Sequence, residues 1–544
     1  MPTDNAGQEP LLTVRSLRIP LPQGGDRSHA LYDLSLELER GEVLCVVGES
    51  GSGKSMLANA LIRLLPETVR IEQGDIRFAG QDLLALDERG MRQLRGNRIA
   101  MVFQDPLAAL NPLLNIGEQI DETLRAHGYG NASARRQRIL ELLDYTGLPD
   151  PQSIRHAYPF QLSGGQRQRV VIAMALALGP DLLIADEPTS ALDVTTQAQI
   201  LELIRRIQQD RQMAMLLITH DFGVVRTLGD RVLVLRHGQL IEQGPVQSML
   251  DRPQNGYTRE LLDAVRASPS QPRPDLDLDD APVILRTRGL SHSYLRRQGL
   301  WKKQRVTALE DASITLKRGE TLGIVGESGS GKSTLGRLLL RLLDADQGEI
   351  LYQDIDLAKL NQKQLRPLRG DIQMIFQDPG ASLNPRQTIG HSLMAGLLVQ
   401  GSSPAEAEQR ARALLEQVGL PANAFNRYPD AFSGGQRQRI GIARALAVHP
   451  RIVVADECVS ALDVSVQARI LTLLEDLQRR LGLSLIFITH DLRVAARLCD
   501  RVAVIQKGRI VEQGPTSEVF NNPAHPYTRA LVEAIPGHQR YPST

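Results

Sequence analysis

The sequence predicts an α/β protein built from two homologous halves in tandem. The segment Val-Gly-Glu-Ser-Gly-Ser-Gly-Lys-Ser occurs at 47–55 and again at 325–333, an offset of 332 − 54 = 278 residues. Other pairs follow in the same order, and from Ser163 and Ser433 onward the offset stays at 433 − 163 = 270 residues. Short apolar runs that lead into these motifs are typical of buried parallel strands. The repetition therefore predicts two copies of one fold.

Length and composition bound the number of folding units and exclude several classes of protein. At roughly 150 residues per domain, 544 residues predict three to four units, each able to bury a core. The 42% hydrophobic and 23% charged residues exclude wholesale disorder. The formal charge is 63 − 62 = +1, so we expect no nucleic acid partner.

Cysteine usage and the amino terminus favour a reducing compartment. Cys45, Cys458 and Cys499 are too scattered for a disulfide framework or a zinc site. Residues 1–10 contain acidic side chains and lack the apolar region of a signal peptide. No run approaches the ~18 apolar residues of a membrane-spanning helix, so we expect a soluble chain or one held at a membrane by a partner.

Each half contains a phosphate-binding loop between a strand and a helix. Apolar runs at 43–47 and 322–325 precede the GxxxxGKS motif, and a helical stretch such as 57–65 follows it. The glycines allow backbone N–H groups to surround phosphates at a helix N-terminus. The predicted nucleotide-binding positions are Gly48, Glu49, Ser50, Gly51, Ser52, Gly53, Lys54, Ser55 and Met56, with Gly326, Glu327, Ser328, Gly329, Ser330, Gly331, Lys332, Ser333 and Thr334 in the second half.

The lysine and serine of each loop have separate predicted roles. Lys54 and Lys332 would neutralise the β- and γ-phosphates of a nucleotide. Ser55 and Ser333 would place a hydroxyl on Mg²⁺. A Gly-rich turn with a chance lysine explains one such match, but two identical copies after strands disfavour it.

A pair of acids follows a second apolar run in each half. Asp186 and Asp456 end runs of the kind that deliver carboxylates at the carboxyl edge of a parallel sheet, where they would act on Mg²⁺ and its water shell. Glu187 and Glu457 would act as catalytic general bases that polarise water for in-line attack on the γ-phosphate. A solvated acidic turn is the alternative, and the phosphate loop upstream in both halves disfavours it.

A linker is predicted between the halves. Residues 267–282 are rich in Pro and Asp and lack helical periodicity. We therefore expect one nucleotide-binding domain at 1–266, the linker at 267–282 and a second nucleotide-binding domain at 283–544. Fully extended, the linker would span at most ~55 Å, so the halves would stay tethered while they rearrange.

In this order the motifs resemble the ATP-binding cassette ATPases. The first half carries, after its loop, Gln104, Leu-Ser-Gly-Gly-Gln at 162–166, the acid pair, Ser-Ala-Leu-Asp at 190–193 and His220. The second half repeats the order with Gln377, 432–436, the acid pair, 460–463 and His490. The resemblance covers nearly the whole chain. It implies that each half is a P-loop NTPase cassette, with a RecA-like α/β core, an antiparallel β subdomain and a helical signature subdomain.

The resemblance also implies ligands and roles. ATP and Mg²⁺ are expected, with each ATP held between one phosphate loop and the opposite signature of a head-to-tail pair of halves. The signature positions are Ser163, Gly164, Gly165 and Gln166, with Ser433, Gly434, Gly435 and Gln436. By the same resemblance His220 and His490 are catalytic contacts of the γ-phosphate, and Gln104 and Gln377 touch Mg²⁺ and report to a membrane partner. An ordinary helix cap explains one signature copy but not two.

Differences between the halves leave two points open. Tyr294 resembles the aromatic residue on which adenine stacks, and its aligned partner is Leu21. Either the first half holds adenine by apolar contact alone, or the alignment at Leu21 is shifted. A further alternative is that Tyr294 is only a packing residue. Cys458 stands where the first half has Pro188. Its thiol would make the second site sensitive to modification in one interpretation, and in the favoured one Cys458 is a small apolar filler. Because both acid pairs are present, we expect two competent sites.

Four segments narrow the resemblance to the ATPases of bacterial oligopeptide, dipeptide and nickel importers. They are residues 103–112, 376–385, 255–262 and 525–532. A fused pair of this type resembles the ATP-binding subunit of Yej-type importers of oligopeptides and microcin C. This implies ATP hydrolysis that drives peptide import, two integral membrane permease subunits, an extracytoplasmic peptide-binding protein, and a peripheral place on the cytoplasmic face of the inner membrane. The chain lacks the C-terminal cysteine cluster of some relatives, so no iron–sulfur cluster or zinc is expected.

Rival functions and the substrate stay open from the sequence. A soluble double cassette acting on ribosomes or DNA is disfavoured by the short acidic linker and the lack of a CxxC motif. A regulatory ATP-binding module with little turnover is the second rival. Peptides, nickel chelates and glutathione-like compounds are all compatible substrates. The basic insert at 294–305 faces lipid headgroups or a membrane subunit in one interpretation and is a solvated loop in the favoured one.

Overall fold

The computed structural model describes residues 9–22, 27–190, 192–265, 278, 280–298, 302–460 and 462–536, with backbone alone at 265, 296–298 and 302–303. The chain divides into two units, residues 1–265 and 266–544. The predicted linker lies outside the described residues except at 278 and 280–282, and its role stays a prediction. Within the described ranges, no helix combines the length and the apolar character needed to cross a bilayer.

The first unit contains a four-stranded antiparallel sheet and a six-stranded, mainly parallel sheet. Its strands are β1 (Leu12–Pro20), β2 (His29–Leu38), β3 (Val43–Val47), β4 (Gln73–Phe78), β5 (Gln81–Asp82), β6 (Ile99–Val102), β7 (Leu182–Asp186), β8 (Ala214–Ile218), β9 (Arg231–Arg236) and β10 (Gln239–Pro245). The order is β2-β1-β4-β5 in the first sheet and β10-β9-β3-β8-β7-β6 in the second. Because β3 pairs in parallel with both β8 and β9, the loop that follows β3 emerges at the middle of the carboxyl edge.

Helices flank the parallel sheet, and five of them form a helical region between β6 and β7. The helices are α1 (Lys54–Leu61), α2 (Glu88–Leu94), α3 (Pro106–Ala109), α4 (Ile116–Ala126), α5 (Ala132–Tyr145), α6 (Pro151–Ile154), α7 (Gly164–Ala175), α8 (Val194–Arg211), α9 (Phe222–Leu228), α10 (Val246–Asp251) and α11 (Gly256–Val265). α1 ends earlier than the predicted stretch 57–65, because Arg63 adopts a left-handed φ of 53° just beyond it.

The second unit repeats this architecture. Its strands are β11 (Val283–Gln298), β12 (Lys302–Ala312), β13 (Thr315–Lys317), β14 (Thr321–Val325), β15 (Gln347–Tyr352), β16 (Ile355–Asp356), β17 (Ile372–Ile375), β18 (Ile452–Asp456), β19 (Ser484–Thr489), β20 (Arg501–Gln506) and β21 (Arg509–Pro515). Its helices are α12 (Lys332–Leu339), α13 (Gln362–Leu368), α14 (Pro379–Ser382), α15 (Ile389–Val399), α16 (Pro404–Gln417), α17 (Gly434–Leu446), α18 (Val464–Leu481), α19 (Leu492–Leu498), α20 (Thr516–Asn521) and α21 (Pro526–Glu533). The sheet orders are β12-β11-β15-β16, with β13 also on β11, and β17-β18-β19-β14-β20-β21.

The basic insert of the second unit is the far end of a hairpin. β11 and β12 stay paired from Leu290 opposite Ala312 out to Gln298 opposite Lys302. Residues 294–298 and 302–305 are therefore strand rather than the solvated loop that the sequence favoured, because antiparallel pairing satisfies their backbone groups. Residues 299–301, with the tryptophan, lie outside the described residues.

The parallel strands separate two apolar cores in the first unit. All five residues of β3 are buried, as predicted for a strand covered on both faces. Leu44 and Val46 pack into the core shared with the antiparallel sheet and α1, whereas Cys45 and Val47 pack into the core shared with the helical region. This alternation follows from the two-residue period of a strand.

In each unit a cysteine thiol fills the same space in the core, but the cysteine belongs to a different element in each unit. A Cβ added to Gly229, which follows α9, would lie 2.6 Å from Cys45 Sγ on β3. In the second unit the cysteine is Cys499, which follows α19, and a Cβ added to Gly323 on β14 would lie 2.8 Å from its Sγ. The space holds one side chain, so each cysteine is matched by a glycine opposite it.

We expect Gly229→Cys alone to destabilise the first unit by about 1–3 kcal/mol, because two thiols overpack one space. The double variant Cys45→Gly with Gly229→Cys reproduces the arrangement of the second unit and is expected to recover most of that loss. Urea unfolding in the presence of a thiol reductant measures both. A double variant no more stable than the single one would contradict this account of the packing.

Candidate nucleotide sites

The two phosphate loops have matching backbone conformations. Residues 48–53 join β3 to α1, and residues 326–331 join β14 to α12. The first glycine has a φ of 154° in both loops, and a Cβ there would lie 2.2 Å from the carbonyl oxygen of Leu235 or of Ile505. Only glycine allows this close approach of the loop to the neighbouring strand.

The lysine of each loop is buried and bonded to the loop itself. Lys54 is 7% exposed and donates to the carbonyl oxygens of Gly48, at 2.7 Å, and Glu49, at 2.9 Å. Lys332 is 3% exposed and donates to the oxygens of Gly326, at 2.9 Å, and Glu327, at 2.8 Å. A buried ammonium group requires such partners. A phosphate that binds the lysine would join these two carbonyls around its three N–H donors.

The predicted metal ligands include oxygen donors of the kind that Mg²⁺ prefers. Ser333 donates its hydroxyl to a carboxylate oxygen of Asp456 at 3.0 Å. The Oδ1 atom of Asp186 is buried and has no hydrogen-bond partner among the described residues. Burial raises the pKa of both aspartates, with Glu187 or Glu457 adding to it and the loop serine opposing it. An unpartnered, desolvated carboxylate oxygen fits a bound cation.

The two predicted general bases sit in a strained backbone conformation. Glu187 has a φ of 47° and Glu457 a φ of 44°, in the left-handed region. The amide of Glu187 donates to the carbonyl oxygen of Ile218 at 2.9 Å, and the amide of Glu457 makes the same bond to Ile488. A non-glycine residue in this region costs about 1–3 kcal/mol and is common at functional sites. These bonds to the carbonyls of the adjacent strand hold each glutamate in place.

The structure brings the predicted glutamine, glutamate and histidine together in both units. Gln104 donates to Glu187 at 2.9 Å, and His220 lies 3.2 Å from the same carboxylate. The second unit repeats this with Gln377 at 3.0 Å and His490 at 3.4 Å from Glu457. Both glutamines contact the glutamate, and their predicted contact with Mg²⁺ stays a prediction.

The electrostatics of this cluster favour an ion pair. Burial works to raise the pKa of Glu187, but the hydrogen bond and charge of His220, with Lys54 and Gln104, hold it below its ordinary value. Burial works to lower the pKa of His220, but the carboxylate of Glu187 and the charge of Asp221 hold it above its ordinary value. Glu457 and His490 shift in the same directions for the same reasons.

The signature segments cap helices of the helical regions. Ser163 precedes α7, where its hydroxyl accepts from the Gln166 amide at 3.3 Å and its own amide donates to the Gln166 side chain at 2.9 Å. Ser433 and Gln436 form the same capping box before α17. A Cβ on Gly165 would lie 2.4 Å from Thr196, so this glycine is needed where α7 meets α8. Gly164 lies in the first turn of the same helix, and Gly434 and Gly435 repeat these positions in α17.

Strand register supports the alignment of Tyr294 with Leu21. Leu21 donates its amide to Ser28, and Tyr294 pairs with Val306, at matching positions of the two hairpins. The Tyr294 hydroxyl lies 3.3 Å from that of Thr334 in the first turn of α12. Leu21 and Met56 instead pack against the apolar core. The first site thus offers apolar side chains where the second offers an aromatic ring.

Cys458 is buried beside Glu457. It is 2% exposed, and burial raises its pKa to about 12. A thiol of this kind carries almost no thiolate at neutral pH. These observations favour the apolar filler over a thiol-sensitive site.

Sequence reasoning missed one pair of contacts at the loops. The amide of Glu49 donates to the Tyr257 hydroxyl at 3.4 Å, and the amide of Glu327 donates to the Tyr527 hydroxyl at 3.1 Å. The Tyr-Thr-Arg segment that begins at Tyr257 recurs at the constant offset of 270 (527 − 257), which marks it as repeated. The repeat does not reveal what the tyrosine touches, because 208 residues separate Tyr257 from Glu49.

We expect the His220 and His490 pairs to make stability depend on pH. A histidine whose folded-state pKa is raised contributes stability that is full below its unfolded value of about 6.5 and is lost as pH rises through the folded-state value. The His220→Asn, His490→Asn variant should therefore lose more thermal stability relative to wild type near pH 6 than near pH 9.

The control is His449→Asn. Burial and the charge of Arg410 lower the pKa of His449, so this variant is expected to show the opposite trend with pH. Thermal unfolding of the nucleotide-free chain measures all three proteins. A pH-independent difference for the double variant would contradict the ion pairs.

Comparison with known proteins identifies the cassettes. Residues 31–190 and 309–460 match the ABC transporter family, and residues 511–541 match the family described as oligopeptide/dipeptide transporter, C-terminal region. A solved ATP-binding cassette bound to ADP and Pi is 30% identical, covers 43% of this chain and 98% of its own, and superposes with a TM-score of 0.39.

Two relatives that align over nearly the whole chain carry the same name. The glutathione import ATP-binding protein of Salmonella choleraesuis (strain SC-B67) is 46% identical over 566 residues, or 98% of this chain and 91% of the relative. The glutathione import ATP-binding protein of Escherichia coli O157:H7 is 47% identical over 558 residues, which are 97% of this chain and 89% of the relative. These matches confirm the predicted fold of tandem P-loop cassettes. The chain belongs to the ABC transporter family, as an ATP-binding and ATP-hydrolysing subunit with two cassettes fused in one polypeptide.

Proposed function

We propose that this chain energises the import of peptides, glutathione-like tripeptides among them, across the bacterial inner membrane. The observation that carries the proposal is a cluster of loop lysine, acid pair, glutamine and histidine in each unit. The chain that holds both clusters aligns over 98% of its length with a glutathione import ATP-binding protein. The match of residues 511–541 to the C-terminal region of oligopeptide and dipeptide transporters supports the same substrate class. The names of the relatives do not favour a role on ribosomes or DNA.

In the proposed reaction, ATP binding begins at the lysine. The triphosphate brings an anionic acceptor to Lys54 beside the carbonyl oxygens of Gly48 and Glu49. Loop N–H groups and the start of α1 contribute further donors. The second unit offers the same arrangement at Lys332.

Hydrolysis then depends on the glutamate and its two partners. The lowered pKa keeps Glu187 ionised, so it can accept a proton from the attacking water. His220 holds one side of its carboxylate and Gln104 the other, which sets the direction of the free lone pairs. His220 is also the proposed contact of the γ-phosphate. Mg²⁺, held by Ser55, Gln104 and Asp186, and by Ser333, Gln377 and Asp456, would supply charge neutralisation at the phosphates.

Exposed apolar side chains near Gln104 support a membrane partner. Leu107 is 55% exposed, Leu113 is 82% exposed and Phe160 is 70% exposed. The two segments that carry them are joined by a hydrogen bond from the Ile116 amide to the Ala157 carbonyl. Exposed apolar side chains on neighbouring segments are what a protein interface would bury. We propose that one membrane permease subunit binds this surface. The chain would then be a peripheral protein on the cytoplasmic face of the membrane.

The equivalent surface of the second unit is polar. Gly380, Arg386 and Asp430 occupy the positions of the three exposed apolar residues, as the repeat aligns them. A surface that carries a positive and a negative side chain is complementary to a different partner segment than an apolar surface is. We therefore propose two non-identical permease subunits, fed by an extracytoplasmic peptide-binding protein. Head-to-tail pairing of the cassettes stays a prediction.

The general-base assignment predicts the effect of Glu187→Gln with Glu457→Gln. Removing both bases should lower the ATPase rate by about 10²- to 10⁴-fold while ATP still binds. In proteoliposomes that contain the permeases and the binding protein, ATP-driven uptake of labelled glutathione or dipeptides should stop. Wild type no faster than the double variant, even in the assembled transporter, would establish the regulatory module instead.

The asymmetric surfaces predict where partner binding is lost. Leu113→Arg with Phe160→Asp should reduce recovery of integral membrane protein with the tagged chain from detergent-solubilised membranes by about tenfold, because charges replace buried apolar contacts. The ATPase rate of the isolated chain should not change. Arg386→Leu with Asp430→Phe is the matched control and should weaken a different membrane subunit. Recovery of ribosomes or DNA in place of membrane proteins would refute the import function.

A further inference from the structure

The last segment of each unit reaches back to the phosphate loop. Tyr257 is the second residue of α11 and Tyr527 the second residue of α21. Their hydroxyl oxygens accept from the amides of Glu49, at 3.4 Å, and Glu327, at 3.1 Å. The same contact therefore occurs twice, in two sequences that have diverged around it.

The accepting hydroxyl lies on one side of a peptide whose other side holds the lysine. The amide N–H of Glu49 and the carbonyl of Gly48 belong to a single planar peptide group. That carbonyl accepts from Lys54 Nζ at 2.7 Å. In the second unit the carbonyl of Gly326 accepts from Lys332 Nζ at 2.9 Å. Because the peptide is planar, the tyrosine that fixes the N–H also fixes the direction of the C=O.

Each tyrosine is itself held firmly. In the first unit Glu242 of β10 accepts from the amides of Gln254, at 2.8 Å, and Asn255, at 3.1 Å. Asn255 in turn accepts from the Tyr257 amide at 2.9 Å. The guanidinium of Arg236 stacks over the Tyr257 ring with its carbon 4.4 Å from the centroid. The helix start is thus fastened to the β9–β10 hairpin.

The second unit fastens its tyrosine in the same way with different residues. Glu512 of β21 accepts from the amides of Ala524, at 2.8 Å, and His525, at 3.1 Å. His525 Nδ1 accepts from the Tyr527 amide at 3.2 Å. A glutamate on the last strand thus sets the tyrosine in both units. The repeated geometry with changed side chains indicates that the position of the hydroxyl is what matters.

We propose that Tyr257 and Tyr527 are positioning residues for ATP binding, through which the C-terminal segment of each unit keeps its phosphate loop ready for the triphosphate. The glycine before each glutamate permits the peptide to rotate. The tyrosine stops that rotation and keeps the carbonyl on the lysine, so the loop pays little ordering entropy when ATP arrives. The inference concerns nucleotide binding alone and does not depend on the imported substrate.

The test is ATP affinity at one site at a time in the full-length chain. Tyr257→Phe is made in a Lys332→Ala background and Tyr527→Phe in a Lys54→Ala background, and MgATP binding is measured by calorimetry. Loss of one hydrogen bond at a loop amide should raise the Kd for ATP about fivefold at the affected site. The maximal ATPase rate in the otherwise unchanged chain should move less than twofold, which separates KM from kcat.

Two other tyrosines serve as controls. Tyr145 donates its hydroxyl to Asp210 at 2.9 Å, and Tyr352 donates to Asp371 at 2.8 Å, both away from the loops. Tyr145→Phe and Tyr352→Phe should leave the Kd for ATP unchanged. If the tyrosine-to-phenylalanine variants at 257 and 527 lower thermal stability but leave the Kd unchanged, or bind ATP more tightly, the proposal is overturned. Should one variant fail to fold, the other unit gives an independent answer.

Discussion

The buried lysine of each phosphate loop is the charge around which the rest of its unit is arranged. An ammonium group at 7% or 3% exposure has lost most of its water and needs acceptors from the protein. Two loop carbonyls supply them, and one of the two belongs to the first loop glycine, which lies against the neighbouring strand. The acid pair lies at the end of the parallel strand two positions away in the sheet, β7 or β18, and completes a compact site. A parallel sheet serves this purpose because its strands end at one edge.

The glutamate beside that lysine is held by contacts that no single element supplies. Its left-handed backbone is fixed by the hydrogen bond that its amide donates to the adjacent strand, and its carboxylate is fixed by a glutamine and a histidine from two other segments. Several independent contacts thus hold this residue in its strained conformation.

Internal duplication makes each unit a control for the other. Features that recur in both units include the buried lysines bonded to their loop carbonyls and the tyrosine contacts. Features that differ are the side chains beside the loop helix, Leu21 against Tyr294, and the exposed surface, Leu113 against Arg386. The exchange of Cys45 and Gly229 for Gly323 and Cys499 is of another kind, because it conserves volume and leaves the chemistry unchanged.

Local pattern alone determined the loops, the buried strands and the acids at their ends. Gly spacing and runs of apolar residues carry these features directly, since they depend on neighbouring positions in the chain. Even so, the end of α1 depended on the left-handed Arg63, and the basic insert proved to be paired strands. These differences arise where backbone conformation and pairing override composition.

Only the tertiary structure decided which groups meet. Gln104 contacts Glu187 across 83 residues and Tyr257 contacts Glu49 across 208, and neither pairing has a local signal. Both follow from the strand order, which brings β6 beside β7 and β9 beside β3. The sequence by itself thus named the residue types of an ATPase. Packing of distant strands, which minimises buried polar groups without partners, set their geometry.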